Sequence, residues 1–210
     1  MGLLSSIISV AKGAISAIGG AIGPIAGKLL GIVGDLNPIF KAIEFIAKMI
    51  GLFDEKEDME EIGAKAMKSD KSVDDFDTTA DYVKHLREDI ELSEEEMENA
   101  SKETKLARKA VGGAIALKGI GENKGVEVSV EFMEKAVTKG LSANEINTLI
   151  DTFSKSKVAL DDFVEYTKGR VATVKEEKID DMMTDILHKS KPELSNEEIE
   201  KEVLEFTRQE

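Results

Sequence analysis

The chain has no cysteine, no tryptophan, two tyrosines, eight phenylalanines and three prolines in 210 residues. Without thiols there is no disulfide framework and no thiolate metal site. So few aromatics argue against an aromatic-rich β-sandwich, and against the stacking platforms that hold single-stranded nucleic acid. Positive charge is also short: 28 Lys and Arg stand against 42 Asp and Glu, a formal net charge of -14. A chain of that charge repels phosphate backbones, so nucleic acid is not an expected partner.

What is present is unevenly spread. Residues 1–53 carry Lys12, Lys28, Lys41 and Lys48 against Asp35 and Glu44, a balance of +2. Residues 54–210 carry 24 basic and 40 acidic residues, a balance of -16. Eight of the 17 glycines fall in the first 34 positions. The sequence therefore reads as two unlike regions that meet near "LFDEKEDMEE". The expected organisation is an apolar, membrane-active or oligomerising helical region at 1–53 and an acidic multi-helix domain at 54–210. The expected fold class is all-α.

In the first region apolar residues fall at Leu4, Ile8, Ala11, Ile15, Ile18, Ile22, Ile25, Leu29 and Ile32. The alternating steps of four and three keep one stripe on one side of a helix. A second periodicity overlies it, a glycine ladder at Gly19, Gly23, Gly27 and Gly31. Each glycine costs a helix about 1 kcal/mol relative to alanine, and small residues at every fourth position let another helix backbone approach closely. Gly19-Gly20 followed by Pro24 gives a second reading, a hinge between two shorter helices. Both a helical hairpin and one kinked helix satisfy the pattern.

Gly13–Gly34 is 22 residues long, enough to cross a hydrocarbon core of ~30 Å. Lys28 and seven glycines leave that span marginal. Burying the stripe is worth on the order of 10–20 kcal/mol. It must be covered by lipid, by other copies of the chain, or by the rest of the fold. The residues expected to carry helix packing or membrane contact are Leu4, Ile8, Ile15, Ile18, Gly19, Ile22, Gly23, Pro24, Ile25, Gly27, Lys28, Leu29 and Gly31.

No secretory signal is readable, because nothing basic precedes Leu3 and no cleavage site follows a short apolar core. "MGLLSS" fits the myristoylation pattern through Gly2 and Ser6. A virion or membrane-associated location is the expectation. In "GDLNPIF", Asn37 is the expected N-cap and Pro38 the first helical residue. The helix that follows, 39–53, places Ile39, Ile43, Ile46 and Ile50 on one side, with Phe40, Met49 and Phe53. Lys41, Glu44 and Lys48 occupy the other, which suits either an interface or ordinary core packing.

The stretch "GLLSSIISVAKGAISAIG" and the composition around it resemble membrane-active peptides, both amphibian-skin peptides and staphylococcal phenol-soluble modulins. The likeness covers about a quarter of the chain and is one of physics, not a family match. It implies affinity for membranes.

The second region is punctuated by three helix starts, "LSEEEM", "LSANEI" and "LSNEEI". Each pairs a serine (Ser93, Ser142, Ser195) with a glutamate three residues on (Glu96, Glu145, Glu198), the capping-box spacing. Helices are expected near 55–68, 76–91, 94–117, 129–139, 143–157, 160–188 and 196–208, with Gly140 as a C-terminal cap. In "GENKGVEVSVEF" a loop leading to Ser129 as N-cap is preferred to a short strand. "ARKAVGGAIALKGIG" reads as a buried central helix that another helix approaches at Gly112 and Gly113.

Little here points to chemistry. His85 and His188 stand in charged helical surroundings and read as surface residues. "GIGENKG" misses the dinucleotide fingerprint. "DDFDTTAD" offers calcium-type oxygens, yet Ala80 and Leu86 sit where an EF-hand needs Gly and Glu. No enzyme, metal or cofactor is expected. The leading functional expectation is a non-enzymatic structural protein of a viral or phage particle with a membrane-interacting or membrane-penetrating N-terminal region. A secreted pore-forming toxin or bacteriocin-like protein is the first alternative. The second is an intracellular helical scaffold that oligomerises through residues 1–53. The expected partners are membrane lipid, other copies of the chain as a homo-oligomer, or a larger assembly.

Overall fold

The computed structural model describes residues 20–156 and 158–207, and no strand occurs among them. The helices are α1 (Ile22–Gly31), α2 (Asn37–Met49), α3 (Met59–Lys68), α4 (Thr79–Asp89), α5 (Glu94–Glu98) and α6 (Lys102–Lys124). They continue as α7 (Val130–Thr138), α8 (Ala143–Ser156), α9 (Leu160–Thr167), α10 (Thr173–Ser190) and α11 (Asn196–Thr207), and a 3-10 turn spans Val73–Asp75. The chain divides into two compact units, Met1–Asn123 and Lys124–Glu210. The charge boundary near Phe53 thus lies inside the first unit, and α1 and α2 bury residues in its core.

The first unit is organised by α6. Its run Ala110, Val111, Gly112, Gly113, Ala114, Ile115, Ala116 and Leu117 is buried without a break. The small residues are where neighbours enter. At Gly113 a Cβ would lie 3.2 Å from Leu29 Cδ1 of α1, 3.3 Å from Met59 Sδ of α3 and 3.5 Å from Phe40 Cε1 of α2. Gly119 leaves room for Leu52 and for Thr79 at the start of α4. The helix runs seven residues beyond its expected end at 117, to Lys124, because Gly119 is held inside the packing. It stops where Gly125 takes φ +67, a conformation that glycine adopts without steric cost.

Local starts and stops follow side-chain capping. Asp58 Oδ1 accepts from Glu61 N at 2.8 Å to begin α3, and Thr78 Oγ1 accepts from Asp81 N at 3.1 Å to begin α4. Asn37 is not the cap of α2. Asp35 Oδ1 accepts from Asn37 N at 3.0 Å, which leaves Asn37 as the first helical residue and Pro38 in the first turn. The helix expected over 94–117 is two helices, because Ser101 caps a fresh start by accepting from Thr104 N at 3.1 Å.

The second unit packs α7 with α9, α8 with α10, and α11 with both α9 and α10. Phe163 lies at its centre with no exposed surface. The rings of Phe132, Phe153, Tyr166 and Phe206 surround it at centroid distances of 5.6, 6.3, 6.2 and 6.4 Å. Ser142 and Ser195 close the capping boxes the sequence predicts, with Glu145 and Glu198 accepting from the serine N–H groups at 2.8 Å. Ser129 caps α7, and Gly140 turns the chain after it at φ +83. The helix expected over 160–188 breaks in two at Gly169, φ +63, where its N–H and that of Arg170 bond back to the carbonyls of Tyr166 and Glu165.

Candidate functional site

Of the residues expected to mediate packing or membrane contact, Leu4, Ile8, Ile15, Ile18 and Gly19 lie outside the described residues. The remainder sit on α1 and do not act as one face. Ile22, Gly23 and Leu29 are buried, Ile25 and Gly27 are half-buried, and Pro24, Lys28 and Gly31 are exposed. Gly20 takes φ +54 one residue before the N-cap Ala21 of α1, and Pro24 falls in the first turn, where a missing N–H costs no helical bond.

The glycines of the ladder therefore differ in what surrounds them. A Cβ on Gly31 would meet nothing within 4 Å. A close backbone approach in the first unit lies between α3 and α6. A Cβ on Gly63 would overlap the Arg108 carbonyl and lie 2.9 Å from Gly112 N, and one on Gly112 would overlap the Met59 carbonyl. Gly112 was legible as a crossing point from its sequence, whereas Gly63, alone in "EEIGAKAM", carries no pattern that marks it.

The surface of α2 is divided differently from its sequence pattern. Ile39, Phe40, Ile43 and Ile46 are all buried in the fold. The opposite side, which holds Lys41, Glu44 and Lys48, also presents Phe45 and Met49, each 45% exposed. Alongside runs an open groove of about 480 Å³ lined by Phe40, Phe45 and Met59 together with Lys41, Lys48 and Lys109 and the acids Glu44, Asp58 and Glu60. Its charges largely pair with one another: Glu44 accepts from Lys48 at 3.1 Å and from Met59 N at 3.3 Å, Lys48 also donates to the Glu55 carbonyl at 3.2 Å, and Glu60 lies 3.8 Å from Lys109. Sequence reasoning placed Met49 with the isoleucines and gave Phe45 no side, whereas both stand on the outer surface. The position of Phe45 four before Met49 is the signal that finds it.

Two polar clusters in the first unit bring together side chains of the kind that do chemistry. His188 is exposed, as a surface residue should be, but the His85 side chain is only 10% exposed. His85 Nδ1 lies 2.7 Å from Asp89 Oδ2, Nε2 lies 3.5 Å from Ser69 Oγ, and the ring lies 5.2 Å from that of Phe76. The order of atoms is that of a nucleophilic triad. However, Ser69 caps the carbonyl end of α3, where the helix dipole opposes a developing oxyanion, and its Oγ already accepts from Lys71 N at 3.1 Å. The arrangement ties α3 to α4.

The second cluster is Arg87 with Glu57. Arg87 Nε and Nη2 each reach one carboxylate oxygen of Glu57 at 2.7 Å, while Glu57 Oε2 also accepts from Asp54 N at 2.8 Å. Burial pushes the Glu57 carboxyl up, but the Arg87 guanidinium and the Asp54 N–H outweigh it and hold the carboxyl below its usual range. This is a clasp on the loop between α2 and α3. The acids of "DDFDTTAD" likewise cap: Asp75 accepts from Ser72 N at 2.7 Å and Asp81 from Thr78 Oγ1 at 2.6 Å. No group of three or more metal-ligating side chains occurs among the described residues. No helix among them is long and apolar enough to cross a membrane. No protein-family model matches the chain, and neither a curated protein nor a solved structure matches it.

Proposed function

We propose that the chain is a non-enzymatic structural protein of a viral or phage particle whose N-terminal region, residues 1–53, makes contact with a membrane. The observation that carries this reading is the separation of charge from apolar surface. Residues 1–53 hold a balance of +2 and the long apolar stripe, and the remainder of the chain holds -16. An anionic leaflet repels the second region and attracts the lysines of the first. The stripe residues from Leu4 to Ile18 have no counterpart elsewhere in the chain, and their texture is that of membrane-active peptides. On α1, Ile22 and Leu29 are covered by the protein itself, so membrane contact in this reading uses the residues before Gly20 and the outward surfaces of the region.

The test is flotation of the full-length protein with vesicles of anionic and of zwitterionic lipid, at low and at high salt. Binding confined to anionic vesicles and weakened by salt is the expected result. Failure to float with either vesicle removes the reading. Dye release then separates attachment from lysis: a structural protein binds with little leakage, whereas a pore former empties vesicles at low occupancy.

A further inference from the structure

We infer that the segment joining α4 to α6, residues 90–101 with α5 at its centre, is a charge-latched strap that opens as a local unit while the rest of the first unit stays folded. This motion does not depend on what residues 1–53 contact.

Apolar burial does not hold this segment. Between Leu86 and Ala107 no residue is buried, the longest such run among the described residues, and α5 buries none of its five residues. A helix that short does not persist in water by itself, because nucleation is costly and few bonds follow it. Its start is a reciprocal cap: Glu96 Oε2 accepts from Ser93 N at 2.7 Å, and Ser93 Oγ accepts from Glu96 N at 3.1 Å. Leu92 and Met97 are only half-buried. Lifting the segment from its seat therefore takes nothing out of the core that α6 organises.

Two cations seat the strap, and both converge on Glu96. Lys68, at the end of α3, donates to both carboxylate oxygens of Glu96 at 3.0 Å and to the Glu91 carbonyl at 2.9 Å. Arg108 of α6 donates from Nη1 to the Glu96 carbonyl at 3.1 Å, and Met97 Sδ lies 3.8 Å from the same nitrogen. The Ser93 N–H and then the Lys68 ammonium hold the Glu96 carboxyl down at about 2, so the pair stays ionised far below neutral pH. Against these two cations the segment carries Glu91, Glu94, Glu95, Glu96 and Glu98, with no lysine or arginine. Glu94, Glu95 and Glu98 are exposed and make no ion pair among the described residues. Their mutual repulsion loads a latch that is itself open to water, with the Lys68 side chain 47% and the Glu96 side chain 41% exposed. Ion pairs so exposed are weak, and local opening is drawn from the parts of a fold with few buried contacts. When the strap lifts, it presents a glutamate-rich segment and releases Lys68 and Arg108. The surface changes while the crossing at Gly63 and Gly112 stays closed.

The experiment is hydrogen exchange by mass spectrometry on the full-length chain and its variants, corrected for intrinsic rates, with thermal unfolding to show that each is folded. In wild type the amides of Met97 and Asn99, which bond to the Ser93 and Glu95 carbonyls, are expected to exchange at least about a hundredfold faster than those of 110–117 in α6. They are still expected to exchange more slowly than in an unstructured peptide. K68A and R108A are each expected to speed exchange in 94–99 by about fivefold, with 110–117 and the melting temperature unchanged. E94Q/E95Q/E98Q is expected to slow it by about twofold, because repulsion falls while the seat is intact. L92S/M97S is expected to change it less than either cation variant does. Exchange in 94–99 as slow as in 110–117 would show that the strap is not a separate unit. Exchange at the rate of an unstructured peptide would show that it has no closed state. If K68A and R108A leave 94–99 unchanged, if L92S/M97S loosens it more than they do, or if the triple glutamine variant speeds it, charge is not the latch. If either cation variant speeds 110–117 as much as 94–99, the first unit opens as a whole and the local strap is refuted.

Discussion

Gly63 of α3 and Gly112 of α6 meet backbone to backbone, with no side chain between the two helices at their crossing. A methyl on either would overlap a carbonyl of the other helix, Arg108 for Gly63 and Met59 for Gly112. Neither obstacle is the end of a flexible side chain, so the helices themselves must separate. Gly63→Ala and Gly112→Ala are each expected to destabilise the protein by about 3 kcal/mol, at the upper end of ordinary overpacking. Gly31→Ala is the contrast. Its Cβ meets open space and it ends α1, so the change should stabilise by about 0.5–1 kcal/mol through helix propensity. Thermal unfolding of the three variants checks the difference in sign. Equal effects would show that the crossing is not a backbone contact.

Gly20→Ala adds a second backbone test. Gly20 holds φ +54, and a Cβ there would overlap the Asp74 carboxylate. The left-handed conformation alone costs alanine about 1 kcal/mol, and the displaced carboxylate adds to it. A Gly20→Ala protein that melts at or above wild type would contradict the conformation at this turn.

These glycines show what could and could not be read from the chain. Periodic signals were legible: the three serine–glutamate boxes, the Gly140 cap and the crossing at Gly112 all rest on local spacing, and all are present. Breaks that rest on one residue were not, which is why 94–117 and 160–188 read as single helices. Ser101 and Gly169 interrupt them without disturbing the apolar period on either side. The isoleucine side of α2 was legible, with Ile39, Ile43 and Ile46 buried, but Met49, which the pattern joins to that side, stands outside it. A period of 3.6 does not say whether protein or lipid covers an apolar side. Nor does it show that Phe45 stands outside that side. Gly63 is a lone glycine whose meaning lies 49 residues away, at Gly112, and sequence-local arguments do not reach that far.

Arg87 makes the loop before α3 sensitive to acid. Its fork on Glu57 is mostly covered, with the Glu57 side chain 9% and the Arg87 side chain 32% exposed. Arg87→Ala leaves a buried carboxylate with one N–H partner and should cost about 2–3 kcal/mol. Because the Glu57 carboxyl is held below its usual value of 4.5, its contribution is complete above that pH and is lost as pH falls through the lowered folded value. Melting temperatures at pH 7 and pH 3 should therefore differ less in Arg87→Ala than in wild type. An undiminished acid loss in the variant would assign it to other carboxylates.

Phe163 tests the second unit. Four aromatic rings pack around it, and Phe163→Ala should cost about 3–5 kcal/mol, the usual range for a buried phenylalanine. The near-ultraviolet circular dichroism of the packed rings should weaken with it. A loss below 1 kcal/mol would mean that the ring cluster is not a packed core.

The two tyrosines report on the two units separately, and with no tryptophan in the chain their ultraviolet signal is unobscured. Tyr82, in the first unit, is pushed up to about 12 by burial and then by the Asp75 carboxylate. Tyr166, in the second, is pushed higher still, by burial first and then by Asp180, which accepts its hydroxyl proton in a hydrogen bond. Each folded pKa is raised above the ordinary value of 10.0, so the folded state favours the neutral phenol. The stabilisation is complete below pH 10 and is lost as pH rises through the folded values. Tyrosinate absorbance should stay flat through pH 10–11 in the native protein, while in guanidinium both phenols titrate near 10. The first native step should appear near pH 12, and the Tyr166 signal only as the second unit opens. Asp180→Asn removes the acceptor charge but not the burial, so it should lower the Tyr166 value while leaving it above 10. A native phenol that ionises at its ordinary pH would show that its ring is in water, and would refute the packing of the unit that holds it.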